Sequence, residues 1–364
     1  MKFLKLRTKK SLAVIFILFS SLVIWAQTDQ TDNSTSKIWT EKKANDWYKQ
    51  QGWPIGCNFL PSTAINQLEM WESETFDTAT INRELGWAEN IGFNTLRVFL
   101  HDLVWENDSI GFKKRINIFL TIASSHHIKP LFVFFDDCWN PEPKYGPQPP
   151  PKPGVHNSGW MRSPAQSVHN DSTKWNALER YVKDILASFK YDPRILCWDL
   201  YNEPGNSDYN LTSLPLLKKI FEWAWTIRPS QPLTVGIWYN NKELSEFQLN
   251  NSDIISFHNY NKSDDLEKEI KELLQRGRPV ICTEYMARTN GSTFEKNLPV
   301  LKKYNVGAIN WGFVSGKSNT VFPWGSKEGS PEPKTWFHDI FRKDGTPFDS
   351  TEVALIKKLT GKTQ

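Results

Sequence analysis

The feature that most constrains this 364-residue chain is a regular alternation of short apolar runs with amphipathic segments. The apolar runs have the length of buried strands, and the segments between them carry the periodicity of helices. The runs that we interpret as strands are 55–60, 94–100, 129–136, 194–201, 232–238, 253–258, 279–284 and 306–312. The helical pattern is clearest at 112–127, 172–190, 213–227, 264–276 and 293–304. This order predicts a parallel α/β fold.

A single (β/α)8 barrel, the TIM barrel, accommodates this number of strand–helix pairs better than a doubly wound sheet. The glycine-rich G-x-G-x-x-G pattern of a dinucleotide-binding sheet does not follow the first predicted strand. The fold class predicted from the sequence is therefore α/β, with one barrel.

Two connections are too long to be simple turns, and they follow predicted strands 3 and 8. Residues 137–171 hold a proline-rich stretch that Trp139 and Trp160 bracket, and residues 313–349 form the other long loop. Loops that follow barrel strands lie on the face where barrel enzymes place their sites. We expect both loops to contribute to a site, and a flexible interdomain linker is the alternative for the proline-rich stretch.

The N-terminal segment predicts export. Five basic residues precede an apolar run at 12–25, and Ala26 offers a small residue for cleavage, so residues 1–26 are interpreted as a signal peptide. An uncleaved membrane anchor is the alternative. The polar residues 27–37 are expected to form a disordered linker, and residues 38–364 the barrel domain. We expect a secreted or periplasmic protein, without stable membrane insertion after cleavage.

Neither the charge of the chain nor the spacing of its cysteines indicates a nucleic-acid-binding site or a metal site. The net charge is +4, but the first 26 residues carry five basic and no acidic residues, so the rest of the chain has a net charge of about −1 (4 − 5) and does not indicate a nucleic-acid partner. The cysteines Cys57, Cys138, Cys197 and Cys282 lack C-x-x-C spacing. We expect buried free thiols and no metal site, although a disulfide is not excluded.

Two glutamates close apolar, strand-like runs. Glu203 lies at the end of the fourth predicted strand and Glu284 at the end of the seventh. A carboxylate at the end of a buried strand is costly to desolvate, so it normally has a partner or a chemical role. Paired carboxylates are the groups that cleave glycosidic bonds, where one protonates the leaving oxygen and the other attacks or activates water. Two structural acids at strand ends are the alternative.

The residues around these glutamates fit the same chemistry. Asn202 precedes Glu203 and is suited to bind a sugar hydroxyl, which favours Glu203 as the acid/base. Arg97, near the end of the second predicted strand, offers the positive charge that would keep Glu284 ionised as a nucleophile. A structural ion pair is the alternative role for Arg97.

Three further side chains are candidates for supporting roles. Tyr260 is placed to donate a hydrogen bond to the nucleophile, and His258 to orient the acid/base. Trp311, on the eighth predicted strand, is suited to form the floor beneath a sugar ring. For His258 and Trp311, an ordinary role in the core is the alternative.

The chain resembles the clan A glycoside hydrolases, and among them the cellulase-like family 5. The resemblance rests on YNEP at 201–204, HNY at 258–260, TEY at 283–285, NWG at 310–312 and the second-strand Arg97, and it extends over about residues 50–360. It implies a (β/α)8 barrel, retaining double displacement and no cofactor. It also implies that Glu203 is the acid/base and Glu284 the nucleophile.

One departure from the family pattern concerns the third strand, where many members carry a histidine at or just after its end. This chain has Asp136 and Asp137 there, so either aspartate is a candidate for sugar binding, and His101 or His156 is a candidate to fill the space. Subsite geometry away from the two glutamates is therefore open.

The loop after the first strand, 58–71, is similar to that of a bacterial group described as cellulases or β-1,4-xylanases. Asn66, Glu69 and Trp71 are candidates there for substrate contacts, and ordinary loop roles are equally compatible.

A carbohydrate is the expected partner, because the chain contains 17 tryptophans and the loops carry several of them. We expect hydrolysis of β-linked polysaccharides or oligosaccharides, and the sequence does not choose between xylan, glucan and mannan. A transglycosylase on the same scaffold and a non-catalytic carbohydrate-binding barrel are the competing hypotheses.

Overall fold

The computed structural model describes residues 37–239 and 241–362, and it contains all the predicted strands in shorter form. They are β1 (Ile55–Asn58), β2 (Thr95–Phe99), β3 (Lys129–Val133), β4 (Cys197–Asp199), β5 (Leu233–Thr234), β6 (Ile255–His258), β7 (Val280–Glu284) and β8 (Gly307–Asn310). β6 and β7 end where predicted and begin later. The other six predicted strands extended too far because their last residues turn out of the ladder into the loops. These residues include the site-bearing positions after β3, β4 and β8.

The strands form a parallel sheet in the order β5-β4-β3-β2-β1-β8-β7-β6, which is the order of a barrel. A parallel bridge between Ile237 and Phe257 links the β5 segment to β6 and completes the ring. The expected (β/α)8 barrel is confirmed. Because parallel barrel strands all end at one face, the loops that follow them converge there.

Helices separate the strands, and all five predicted helices are confirmed. Four of them differ from the prediction by no more than three residues at either end, whereas the helix predicted at 112–127 begins ten residues earlier, at Asp102. The described helices are α1 (Glu41–Gln51), α2 (Gln67–Trp71), α3 (Thr78–Asn90), α4 (Asp102–Ser125), α5 (Gln166–His169), α6 (Trp175–Phe189), α7 (Leu214–Ile227), α8 (Lys242–Asn251), α9 (Ser263–Leu274), α10 (Phe294–Lys303) and α11 (Ser350–Thr360). Side-chain oxygens cap several of them; Asn66, for example, accepts from the Glu69 amide and begins α2.

The apolar core lies in two layers. The larger cluster fills the space between the sheet and the helices, and the smaller one fills the barrel interior with alternate strand residues such as Leu131, Val133 and Ile309. Trp39 and Tyr48, beside and within α1, join the inner cluster. The Trp39 amide donates to Asp253 before β6, so this segment packs at the end of the barrel opposite the site.

The proline-rich stretch packs onto the barrel domain and is not an interdomain linker. The Asn157 amide donates to Ser318 O at 2.9 Å, which joins this loop to the long loop after β8. All four cysteines are buried and free, as expected. The predicted signal peptide at 1–26 and nearly all of the predicted linker at 27–37 lie outside the described residues. Within the described part of the chain, no helix is long and apolar enough to cross a membrane.

Candidate active site

A large cavity opens at the C-terminal ends of the strands, with a volume of about 1140 Å³. Its lining comes from the loops after β3 to β8 and is rich in aromatic and amide side chains. Both strand-end glutamates line it, together with Asn202, His258, Tyr260, Trp139, Trp160 and Trp311. The structure therefore brings the predicted site residues together, with Arg97 buried beneath them.

Glu203 and Glu284 converge although β4 and β7 are separated in the ring. One carboxylate oxygen from each, together with a ring nitrogen of His258, lies within 4.8 Å of the others. His258 Nδ1 is 2.7 Å from Glu203 Oε1 and 3.5 Å from Glu284 Oε2. The two carboxyl groups thus face one small volume, as a reaction at a single carbon requires.

Glu203 is held at the mouth by a strained turn. Its φ of 45° is in the left-handed region, which costs a non-glycine residue roughly 1–3 kcal/mol and persists only where the surroundings fix it. Asp137 supplies that support, since it accepts hydrogen bonds from Tyr201 Oη at 2.6 Å and from the Gly205 amide at 2.8 Å. Asp137 therefore fixes the turn on both sides of Glu203.

The partners of Glu203 are all uncharged. Cys138 Sγ and Asn206 Nδ2 donate to Oε2 at 3.2 and 2.6 Å, and neutral His258 contacts Oε1. Burial lowers the pKa of His258 to about 4. Burial raises the pKa of Glu203, and its hydrogen bonds offset only part of that effect. This environment favours a protonated carboxyl, which an acid catalyst requires.

Glu284, unlike Glu203, has a charged hydrogen-bond partner as well as an uncharged one. Arg97 Nη1 donates to Oε1 at 2.8 Å and Tyr260 Oη donates to Oε2 at 2.7 Å. Burial raises the pKa of Glu284 as well, while His258, Arg97 and Tyr260 act in the opposite direction. The like charge of Glu203 also raises the pKa of Glu284. Of the two glutamates, only Glu284 pairs directly with a cation, and this contact favours its ionised form.

Arg97 is fully buried, and all five of its N–H donors are used. Nε and Nη2 hold Asp199 Oδ2 at 3.0 and 2.8 Å, and the remaining donors reach Asn58, Asn202 and Glu284. The sequence-based alternatives for Arg97 therefore both apply, because it forms a structural ion pair with Asp199 and a second pair with Glu284.

Asn202 lines the cavity, but its amide is engaged by the protein. Oδ1 accepts from Arg97 at 2.6 Å, and Nδ2 donates to Asp136 Oδ1 at 2.9 Å and to Cys138 Sγ at 3.4 Å. Asn202 thus joins the guanidinium to the loop after β3. The predicted contact of Asn202 with a sugar hydroxyl stays a prediction.

Asp136 and Asp137 are buried and do not line the cavity. Asp136 accepts from Trp160 Nε1 at 2.6 Å as well as from Asn202, and Asp137 anchors the turn at Glu203. The expectation that either aspartate binds sugar is not met, because their oxygens are occupied by protein donors. Burial raises the pKa of Asp137 to about 7.

His156, and not His101, fills the space near the third strand. His156 lines the cavity, and its ring lies 5.6 Å from that of Trp139. Burial lowers the pKa of His156 to about 4, so it is neutral at physiological pH. His101 lies away from the cavity, where it caps α4 and contacts the carbonyl oxygen of Arg162.

The three candidates in the loop after β1 have structural roles. Asn66 caps α2, Trp71 is fully buried, and Glu69 forms an ion pair with Lys317. They do not line the cavity. Of the two interpretations that the sequence left open for this loop, the ordinary one is correct.

Aromatic side chains form two groups in the cavity. Trp311 and Trp160 lie edge to face, with ring centroids 5.4 Å apart, on the side of β8 and the β3 loop. Trp139 and Trp324 are partly exposed, at 40% and 42%. On the side of β5, Trp238 packs on Tyr239 with centroids 4.1 Å apart. Flat apolar faces around polar groups are typical of sugar-binding clefts.

Several site residues were missed from the sequence. Asp199 lies in β4 two residues before Tyr201, and a charged residue inside a buried strand was a usable signal. Trp238 ends the fifth predicted strand, and a residue at a strand end is expected to lie near the cavity, so this position was also a usable signal. Cys138 and Asn206 gave no signal, because their contacts with Glu203 depend on the path of two loops.

One group of side chains could also ligate a metal ion: Glu203, His258 and Glu284. An ion bound there would occupy the volume between the carboxylates. The neighbouring Arg97 cation disfavours a divalent ion at Glu284 by like-charge repulsion. The expectation of a metal-free reaction stays a prediction.

Comparison with known proteins agrees with this geometry. Residues 154–316 match the family model of cellulase, glycosyl hydrolase family 5. None of the curated proteins that were compared matches the chain. The matched residues include both glutamates, His258, Tyr260 and Trp311.

Solved structures share the barrel. The endo-β-1,4-mannanase from Thermotoga petrophila aligns with a TM-score of 0.57 at 15% identity, covering 86% of this chain and 77% of that chain. The GH5_18 protein from Streptomyces cattleya in complex with GlcNAc aligns with a TM-score of 0.57 at 11% identity, covering 85% and 80%. The exo-β-1,4-mannosidase from Opitutaceae bacterium strain TAV5 aligns with a TM-score of 0.58 at 14% identity, covering 85% and 59%.

At these identities the structural alignments establish the fold, and the family model spans both glutamates of the site. The resemblance that the sequence motifs indicated is confirmed for the barrel and for residues 154–316, and the chain is a glycoside hydrolase with a (β/α)8 barrel.

Proposed function

We propose that the protein hydrolyses β-linked polysaccharides or oligosaccharides with retention of configuration, with Glu284 as nucleophile and Glu203 as acid/base. The observation that carries the proposal is the approach of the two carboxylates to within 4.8 Å, measured between one oxygen of each. Retaining enzymes hold their carboxyl groups about 5–5.5 Å apart, whereas inverting enzymes leave about 6.5–9.5 Å for a water molecule.

In the first step, the ionised Glu284 attacks the anomeric carbon while Glu203 protonates the departing oxygen. The C1–O bond to the leaving sugar breaks, and a glycosyl ester forms on Glu284. In the second step, Glu203 takes a proton from water, the water oxygen attacks C1 from the face that the leaving group vacated, and the C1–O bond to Glu284 breaks. Arg97 and Tyr260 hold Glu284 in place and stabilise its negative charge as a leaving group.

His258 positions the acid/base in both steps. With its hydrogen on Nδ1 it donates to ionised Glu203, and with its hydrogen on Nε2 it accepts from the protonated carboxyl, over the same 2.7 Å contact. Its Nε2 has no hydrogen-bond partner within the described residues. The ring therefore accommodates either state of Glu203 without moving.

The substrate class rests on the aromatic lining and on the fold relatives. A cavity with several tryptophans offers stacking area for more than one sugar ring. A β-1,4-glycan such as xylan, glucan or mannan fits this description, and mannan is the first to test because fold relatives are named as a mannanase and a mannosidase. The N-terminal segment supports a secreted or periplasmic location.

The direct test is the configuration of the first product. Purified protein is screened against oligosaccharides of mannan, xylan, cellulose and mixed-linkage glucan, and the newly formed anomer is followed by proton NMR before mutarotation. The β-anomer is expected first, and an α-anomer would contradict the double displacement. Transfer to added sugar acceptors in preference to water would identify a transglycosylase. Glycan binding that is equal in wild type and Glu284→Ala, with cleavage in neither, would identify a binding protein.

Arg97→Lys is expected to damage both stability and activity. A lysine has three donors and no planar fork, so it leaves Asp199, Asn58, Asn202 or Glu284 without its partner in a buried site. Breaking a buried pair costs about 3–5 kcal/mol. Chemical unfolding and kcat/KM measure the two effects. Arg276→Lys is the matched control, because its ion pair with Glu246 is partly exposed and should change neither quantity appreciably.

The pH profile of kcat/KM is expected to be bell-shaped. Activity falls below the pKa of Glu284, where the nucleophile is protonated, and above the pKa of Glu203, where the acid has lost its proton. Because burial raises the pKa of both carboxyls, both limbs lie above the ordinary range for glutamate. In Glu203→Gln, assayed with an activated aryl glycoside, the basic limb should disappear and the acidic limb remain. Loss of the acidic limb instead would reverse the two roles.

A further inference from the structure

The cavity receives no lining residue from the loops after β1 and β2 within the described chain, although β1 and β2 belong to the same barrel mouth. The cause is the long loop after β3, which lies over both of them. Asn66 Nδ2 donates to Gly159 O at 2.8 Å, and Gln67 Nε2 donates to Met161 O at 3.0 Å. His101 Nε2 contacts Arg162 O at 3.0 Å on the β2 side.

The same loop then joins the loop after β8. Besides the Asn157–Ser318 bond, the His156 amide donates to Ser326 Oγ at 3.1 Å, His156 Nδ1 lies 2.7 Å from Phe322 O, and Asn319 Nδ2 donates to Lys152 O at 3.0 Å. A Cβ at Gly154 would lie 2.6 Å from the amide nitrogen of Ser330, so the backbones are in close contact. We call residues 152–162 and 318–330 together the loop wall.

The loop wall, which includes Trp160, stands on one side of the carboxylate pair and packs against Trp311 there. The other side is lined by Asn206, Ser207, Trp238 and Tyr239, from the loops after β4 and β5. Glu203 belongs to the β4 loop and protonates the leaving oxygen, so the leaving sugar lies on this β4–β5 side. The sugar whose anomeric carbon Glu284 attacks, and anything attached at its non-reducing side, must fit between the carboxylates and the loop wall.

We propose that the loop wall closes the non-reducing side of the cleft, so that the enzyme removes one short, fixed unit from the non-reducing ends of β-linked chains. The inference rests on the proposed function of the same site. A groove that cuts inside a polymer must be open at both ends, and here the strand loops that would continue the groove are covered.

The experiment uses a hexasaccharide of the preferred glycan with a fluorophore at its reducing end, followed by chromatography from the first turnovers. Wild type is expected to release one unlabelled product of a single length and to shorten the labelled chain stepwise by that length. Unlabelled products of several lengths at the start, with a rapid fall in the viscosity of polymer, would overturn the proposal. Trimming from the labelled end would overturn the assigned direction.

The double variant Asn319→Ala/Ser326→Ala removes two side-chain contacts that join the loops. Internal cleavage relative to terminal cleavage should rise several-fold, and an unchanged pattern in a folded variant would count against the loop wall. Ser330→Ala is the matched control, because its hydroxyl donates to Lys327 O in its own loop and, among the described residues, does not join the two loops. If the double variant does not fold, the product pattern of the wild type still decides whether the enzyme cleaves internally or from the non-reducing end.

The outcomes separate the two proposals. Internal cleavage that disappears in Glu284→Ala would leave the glycosidase function standing and remove the loop-wall inference. Absence of hydrolysis of every oligosaccharide and aryl glycoside by wild type would instead remove the proposed function.

Discussion

Glu284→Ala is expected to lower the turnover of natural glycans by about 10⁴- to 10⁶-fold, in the range seen when a nucleophile is removed from other hydrolases. The reason is geometric. Glu203 also lines the cavity and contacts His258, and its φ of 45° and three side-chain contacts hold it on the leaving-group side. It cannot reach the opposite face of the sugar to attack.

Removal of the Glu284 carboxylate leaves space between Arg97 and Tyr260, which azide can enter. With an activated aryl β-glycoside, azide nitrogen attacks C1, the C1–O bond breaks, and the aryl oxide leaves. One displacement gives an α-glycosyl azide, of inverted configuration. NMR of the product measures this directly.

Glu84→Gln is the matched control for loss of a buried glutamate. Glu84 is fully buried and accepts hydrogen bonds from Ser62, but it lies outside the cavity. Its replacement is expected to affect the free energy of unfolding and to leave kcat near that of wild type. If Glu284→Ala retained substantial activity, or if the control lost as much, the role assigned to Glu284 would be wrong.

The barrel could be predicted from the sequence because its signals are local. Each strand is a short apolar run, and each helix has its own periodicity, so neither depends on knowing the rest of the fold. The residues at which the strands end could be predicted less accurately. In 129–136, for example, Phe134 and Phe135 are buried like strand residues, yet β3 ends at Val133 where the chain turns into the long loop.

The centre of the site could be predicted for a related reason. His258 and Glu284 end β6 and β7, and Glu203 follows the end of β4 by four residues. Parallel strands end at one face of the barrel, so topology alone brings these residues near each other. Asp136 and Asp137 lie in an equivalent position after β3, but the chain there turns so that Trp160, Asn202 and Tyr201 take up their oxygens. Position at a strand end therefore indicates proximity to the site and does not determine which way a side chain points.

The loop wall could not be predicted at all. Its contacts join residues near 155 to residues near 320, through backbone groups whose pairing no local pattern encodes. The sequence identified both segments as long loops after strands 3 and 8. Tertiary packing decides whether the two loops stay apart or meet across the barrel mouth. If they stay apart the cleft is open at both ends, and if they meet one end of the cleft is closed.

Glu203→Ala is expected to distinguish substrates by their leaving groups. Natural glycans, whose sugar leaving group needs protonation, should lose about 10²- to 10⁴-fold in kcat/KM. A 2,4-dinitrophenyl glycoside leaves without a proton, so its first step should be nearly unchanged. The second step then lacks a general base, and the glycosyl ester on Glu284 should accumulate. Stopped-flow measurement is expected to show a rapid burst of dinitrophenolate followed by slow turnover.

Azide then reports the stereochemistry of the second step. In Glu203→Ala it attacks the glycosyl ester from the face that the leaving group vacated, because Glu284 occupies the other face. Two displacements give a β-glycosyl azide of retained configuration, opposite to the product expected from Glu284→Ala. Equal losses on both substrate types, or the same azide anomer from both variants, would contradict the assignment of the two glutamates. Opposite anomers require the two carboxylates to act on opposite faces of a single carbon, as their convergence beside His258 implies.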